Sequence, residues 1–168
     1  MKTLFINRHA KSSWKDYSLK DFDRPLNKRG KLNAAFMAEM FASEYSIDLI
    51  ISSPAKRARK TAEYFATAQG ISTESIQFNE IIYGASISEM MTLLQDIPSS
   101  INKVMIFGHN PTFNDLAEYL DHNFMDHLVT CARVQIEFDI DNWKLLSKNL
   151  GRTIAHHYPR MYPEMENL

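Results

Sequence analysis

Cysteine is almost missing from this chain: Cys131 stands alone among 168 residues. One thiol excludes an internal disulfide framework and leaves a thiolate metal site without enough ligands. Its place before a strand-like run suits a small buried hydrophobe, the usual state of a free cysteine. Glycine and proline, at 5 and 6 residues, are too scarce for a linker-rich chain. No repeat or low-complexity segment interrupts the sequence. No apolar run is long enough to span a bilayer, and the N-terminus lacks the charged start and long apolar core of a signal peptide. The expectation is therefore a cytoplasmic protein without membrane association. A charge excess is missing too. Formal net charge is −1, from 19 Lys and Arg against 20 Asp and Glu, which gives no general attraction to nucleic acid or to a membrane. Any basic site has to be built by local arrangement. A phosphate loop of the Gly-x-x-x-x-Gly-Lys type is also absent, which argues against P-loop nucleotide chemistry.

What is present is an ordinary globular balance, with 45% hydrophobic and 23% charged residues. The length suits one domain, residues 1–168, with one substantial core. The chain enters at once into Thr3-Leu4-Phe5-Ile6, a run that reads as a strand buried on both faces. It stops in Asn7-Arg8-His9-Ala10-Lys11. By itself this is a charged loop after a strand. Residues 11–27 show no sustained period, and Asp23-Arg24-Pro25 opposes a helix, so a long loop is expected. Asp21, Asp23 and Arg24 suit ion pairs and turn bonds that fix this loop better than they suit substrate binding. Helical spacing then runs from Lys28 to Tyr45, through Leu32, Ala35, Phe36, Met40 and Phe41.

Asp48–Ser52 is a second strand, followed by Ser53 as N-cap and Pro54 as first helical residue. That helix runs to about Gln69 and carries Arg57 within its first turn, where the helix N-terminus and the guanidinium attract the same anion. Ser75–Phe78 is a short third strand that leads to Glu80, and Ser88–Gln95 is a helix capped by Ser88. Lys103–Gly108 is a buried fourth strand that ends in His109, with a helix after it capped by Asn110 or Thr112. Cys131–Phe138 reads as a strand and Trp143–Leu146 as its antiparallel partner, with an irregular tail from Gly151 onward. Strands alternating with helices give an α/β fold, a three-layer α/β/α sandwich on a mainly parallel central sheet.

In such sheets the ligand crevice lies at the carboxyl ends of the strands. Three strand ends carry Arg8-His9, Arg57 and His109. Arginine forks match phosphate oxygens, and a neutral histidine whose other N–H is held can attack phosphorus. A second histidine, if protonated, can donate to the phosphoryl oxygens, and cations that cover those oxygens make a metal unnecessary. His122 and His127 have poor spacing for one helix face and complete no metal site, so they read as surface residues. His156 and His157 read as structural.

The motifs Arg8-His9, Ser53-Pro54-Ala55-Lys56-Arg57-Ala58-Arg59-Lys60-Thr61-Ala62 and Gly108-His109-Asn110, in this order, resemble the histidine phosphatase superfamily, also called phosphoglycerate mutase-like. Residues 8–14, Asp21 to Gly30, Tyr83-Gly84-Ala85-Ser86 and Tyr158-Pro159-Arg160 are similar to its SixA-type phosphohistidine phosphatase branch. The resemblance implies a phosphoglycerate mutase-like fold and a phosphatase without cofactor or metal. His9 would be the nucleophile, and Arg8, Arg57 and His109 the phosphate pocket. Glu80 sits roughly where mutase-type members carry a general acid, and is either that acid or a solvated strand-end charge. Lys11 is either a substrate contact at the pocket mouth or a solvated loop charge. The implied partner is a phosphorylated protein such as a histidine phosphotransfer domain. A small phosphoester, or phosphate-dependent binding without turnover, are the alternatives.

Overall fold

A computed structural model describes residues 1–166. Six strands form one sheet: β1 (Lys2–Arg8), β2 (Leu49–Ser52), β3 (Gln77–Phe78), β4 (Lys103–Gly108), β5 (Arg133–Phe138) and β6 (Arg152–His157), in the order β3-β2-β4-β1-β5-β6. The first four in that order are parallel, and β5 runs antiparallel to both of its neighbours. Four helices cover it: α1 (Lys28–Glu44), α2 (Lys56–Ala68), α3 (Ile87–Gln95) and α4 (Thr112–Leu120). The three-layer α/β/α sandwich read from the alternation is the observed one.

The period-2 alternation of side chains divides the strands between two cores. Phe5, Ile50, Met105 and Phe107 pack with Met37, Phe41 and Phe65 of α1 and α2. Leu4, Ile6, Ile51, Val104, Ile106, Val134 and Ile136 pack with Met90, Leu94, Phe113 and Leu116 of α3 and α4. Both faces are covered, so the central strands read as unbroken apolar runs.

Several local expectations change. The buried stripe of α1 is Asn33, Ala34, Met37, Ala38 and Phe41, while Leu32 is 40% exposed. The small alanines there let the helix come close to the sheet, which size-weighted spacing does not reveal. Helix α2 starts at Lys56, later than Ser53-Pro54 implies; Ser53 Oγ instead accepts the Ala55 N–H in the turn before it. Helix α3 is capped by Ser86, not Ser88, in a reciprocal capping box with Glu89. Helix α4 has no side-chain cap, because its N-cap is Pro111, whose ring carries no acceptor; Thr112 is already helical, and its hydroxyl donates to the Ala85 carbonyl. β3 is trimmed to two residues by a 3₁₀ turn at Thr73–Ser75. Trp143–Leu145 is a 3₁₀ turn with Trp143 fully buried, and the partner of β5 is Arg152–His157, inside the stretch expected to be irregular. Among the described residues, no helix is long and apolar enough to cross a membrane.

Candidate active site

Register makes the site. Arg8 of β1 stands opposite Gly108 of β4, and Ser52 of β2 opposite Phe107. Three adjacent parallel strands therefore end level, and the next residues, His9, Ser53 and His109, leave side by side. The ladder reaches one step further: His9 N–H donates to the Gly108 carbonyl (3.1 Å) and Ser53 N–H to the Phe107 carbonyl (2.9 Å). The connection before β5 holds the other side of His9, whose carbonyl accepts the Cys131 N–H (3.0 Å). Cys131 reaches this position with a φ of 63°, and its buried thiol is pushed up to about 12 by loss of solvent, so it is inert at neutral pH.

His9 is 8% exposed, and its Nδ1 lies 2.8 Å from the Ala10 carbonyl. A carbonyl only accepts, so Nδ1 carries the proton and Nε2 keeps its lone pair. Burial, then the nearby His109, Arg57 and Arg8, push the pKa of His9 down to about 3, although its bond to Ala10 acts against this. His9 is thus neutral across the physiological range. Arg57 Nε stands 3.3 Å from its Nε2.

The rings of His9 and His109 are 5.2 Å apart. His109 Nε2 lies 2.8 Å from Ser53 Oγ, and burial, Arg57 and Arg8 push its pKa down to about 4. Arg57, the second residue of α2, is buried and turns across the strand ends, and Arg8 Nη1 donates to the Leu128 carbonyl (3.1 Å), which also accepts from the Asn110 amide (2.8 Å). Two polar atoms here, Arg8 Nε and His109 Nδ1, are buried without a partner among the described residues. Thr61 ties α2 to the segment after β1: its hydroxyl accepts the Ala10 N–H (3.0 Å) and donates to the Arg57 carbonyl (2.7 Å).

Arg8, His9, Arg57 and His109 thus meet at one sheet edge. Glu80 does not join them: it is exposed, and its side chain makes no hydrogen bond or ion pair among the described residues. Lys11 is exposed as well, and only its carbonyl is engaged, by the Asn27 N–H. His122 and His127 are exposed, His156 lies 3.2 Å from Asp126, and His157 bonds to Tyr162. Among the described residues, no three or more His, Cys, Asp or Glu side chains are arranged to hold a metal ion. The acidic group that does reach the site is Asp21. It pairs with Arg24 (2.9 Å), as the loop reading expects, and also with Arg57 (3.0 Å), and it accepts from the Tyr83 hydroxyl (2.6 Å). The bond from Tyr83 and the two arginines hold its carboxyl well below the usual range, and the same bond raises the Tyr83 phenol. Tyr83 also sets its ring edge-to-face with His109, centroids 5.5 Å apart. No spacing in the sequence signals these contacts, because Asp21 and Tyr83 lie 62 positions apart.

Comparison with known proteins agrees with this fold. An uncharacterised chloroplast protein of Arabidopsis thaliana is 32% identical over 152 residues, 85% of this chain and 69% of that protein. The crystal structure of a candidate phosphohistidine phosphatase SixA from Agrobacterium tumefaciens superposes with a TM-score of 0.78 at 27% identity, covering 94% of this chain and 98% of that one. A protein histidine phosphatase SixA complexed with tungstate superposes with a TM-score of 0.80 at 20% identity, covering 95% and 98%, a likeness of fold alone. The family model of the histidine phosphatase superfamily (branch 1) matches residues 4–99, from the first buried strand through the whole of α2 and α3, and the chain belongs to that superfamily.

Proposed function

We propose that residues 1–168 act as one phosphatase domain that works through a phosphohistidine on His9, with a phosphohistidine on another protein as the preferred substrate. The observation that supports this most directly is the state of His9: neutral, its Nδ1–H held by the Ala10 carbonyl, its Nε2 lone pair facing Arg57. The lone pair attacks phosphorus, the bond to the leaving group breaks, and the leaving atom takes a proton from solvent. Water then attacks the phosphorus on His9, the P–Nε2 bond breaks, and inorganic phosphate leaves with His9 restored. Arg8, Arg57 and His109 surround the transferred group. An oxyanion among them would supply acceptors to Arg8 Nε and His109 Nδ1, both without a partner among the described residues.

A phosphoramidate fits the site better than an alkyl ester. An alkoxide needs a proton donor to leave, and neither candidate carboxyl serves: Glu80 stands outside the hydrogen-bond network and Asp21 is held ionised. A phosphorylated imidazole needs less help. A histidine phosphotransfer domain of the cytoplasm is the proposed partner, in keeping with the phosphohistidine phosphatase named in the structural neighbours. The pocket cations make a metal unnecessary, so chelator treatment is expected to leave turnover intact.

The test is a panel of phosphohistidine, phosphoaspartate, aryl phosphate and alkyl phosphoester, measured on wild type and on His9→Ala. Wild type should prefer phosphohistidine, and His9→Ala should lose turnover on every donor. Undiminished aryl phosphate hydrolysis by His9→Ala would falsify the mechanism; preference for the alkyl ester would replace the substrate.

A further inference from the structure

We propose that Asp21 is a positioning residue for phosphoryl transfer: it grips two nitrogens of Arg57 so that the third stays turned toward His9. The inference rests on the phosphatase reading above and deepens it. A guanidinium is a rigid planar fork, so two bonds to one anchor fix its plane and hence the direction of its remaining N–H. Arg57 Nη1 donates to the Asp21 carbonyl (2.7 Å) and Nη2 to Asp21 Oδ2 (3.0 Å). What is left is Nε, 3.3 Å from the nucleophilic nitrogen of His9. Helix α2 fixes only the base of a side chain with four rotatable bonds. The aim of its tip is decided by a residue 36 positions away, in the long loop after β1.

Asp21 is itself immobilised. Arg24 Nη1 donates to Oδ1 (2.9 Å), and the Tyr83 hydroxyl to Oδ2 (2.6 Å). Arg24 is buried, with its other nitrogens on the Ser13 carbonyl (3.1 Å) and the Ser12 hydroxyl and its guanidinium over the Trp14 ring. Tyr83 is set edge-to-face by Phe22 on one side and against His109 on the other. One carboxylate therefore links the loop, Arg57 and, through Tyr83, His109. This gives the loop of residues 11–27 a task beyond closure.

The role separates cleanly from substrate attraction. A carboxylate beside an anion pocket opposes the binding of phosphate, so Asp21 contributes nothing to ground-state affinity by charge. Its contribution is alignment, which is felt in the transition state. Asp21→Asn keeps the size of the side chain and removes the charge. On aryl phosphate it should lower kcat at least about tenfold, since small misplacements at a reacting centre are costly, while KM stays level or falls. The same substitution in an Arg57→Ala background should change kcat by less than about twofold, because residues acting through one partner are not additive.

An equal loss in both backgrounds overturns the proposal, as does a raised KM with kcat intact. Tyr83→Phe repeats the test should Asp21→Asn fail to fold: it removes one bond to Asp21 and keeps the ring on His109, so its smaller kcat loss should also vanish without Arg57. Absence of turnover by wild type on every donor would sink the phosphatase reading separately. Where wild type does turn over, calorimetric binding of inorganic phosphate adds a second reading: affinity level or tighter in Asp21→Asn beside its kcat loss supports the role, and weaker affinity overturns it.

Discussion

At the scale of single residues, burial decides which nitrogen reacts. A histidine shut away from water beside two arginines cannot hold a second proton, and the Ala10 carbonyl claims the first one for Nδ1. Nε2 is left with a free lone pair at neutral pH, so the proposed attack needs no general base to prepare it. Leaving-group protonation is the complementary question. Removing a true general acid costs about 10²–10⁴-fold in rate. Glu80 is exposed and unpaired, so Glu80→Gln is expected to lower phosphohistidine hydrolysis by less than about tenfold, below that range. A loss of a thousandfold or more in steady-state assays would return Glu80 to the reaction. Arg8, His9, Arg57 and His109 were legible in the sequence because each follows a recognisable strand or opens a recognisable helix. Asp21, Tyr83, Ser53 and Thr61 were not legible as site residues. Their hydrogen bonds join residues between 36 and 62 positions apart, and such pairings leave no periodic trace.

At the scale of elements, the site depends on how closely the loop after β1 packs on α1. Gly30, in the first turn of α1, lies against the backbone of Lys11: a Cβ placed there would fall within 2.9 Å of the Lys11 carbonyl carbon and 3.0 Å of its nitrogen, with the carbonyl oxygen nearer still. Backbone cannot yield as a side-chain tip can. Gly30→Ala is therefore expected to destabilise the protein by about 1–3 kcal/mol, read by chemical denaturation, despite alanine's better helix propensity. Because Lys11 follows Ala10 and His9, kcat should fall as well. A stabilised variant with full activity would show that the loop is not held this way. Elements were mostly legible where apolar runs were continuous, as in β1, β2 and β4. The helix α1 was legible but its buried face was not, because small residues form it, and the partner of β5 was misplaced where a single large side chain dominates. Trp143 is buried by its turn, and the strand that pairs with β5 lies nine positions later, at Arg152–His157.

At the scale of the whole molecule, the neutral buried histidines make stability depend on pH. His9 and His109 have pKa values pushed down to about 3 and about 4 from an ordinary 6.5, and His157 shifts in the same direction through burial. Below 6.5 the unfolded chain takes up protons that the folded one refuses, so stability falls as pH drops toward 4; above 6.5 these groups contribute nothing. Asp21 acts in the same direction but in a lower window, since its lowered carboxyl adds stability that is lost only once pH falls below its ordinary 3.8. The interval between belongs to the histidines. Calorimetry should show Tm falling between about pH 7 and about pH 4.5, and the double variant His9→Gln, His109→Gln should flatten that fall. An unchanged slope in the double variant would place the pH sensitivity elsewhere in the molecule.

The sequence by itself determined the alternation of strands and helices, the burial of the central strands on both faces, and the four residues that gather at their ends. These follow from short-range properties: apolar runs, helical spacing, and the position of a charged residue just after a strand. The tertiary structure alone decided the level ending of β1, β2 and β4, the tautomer of His9 and the grip of Asp21 on Arg57. Each of these depends on distance between segments remote in the chain, and distance of that kind is set by packing, not by sequence separation.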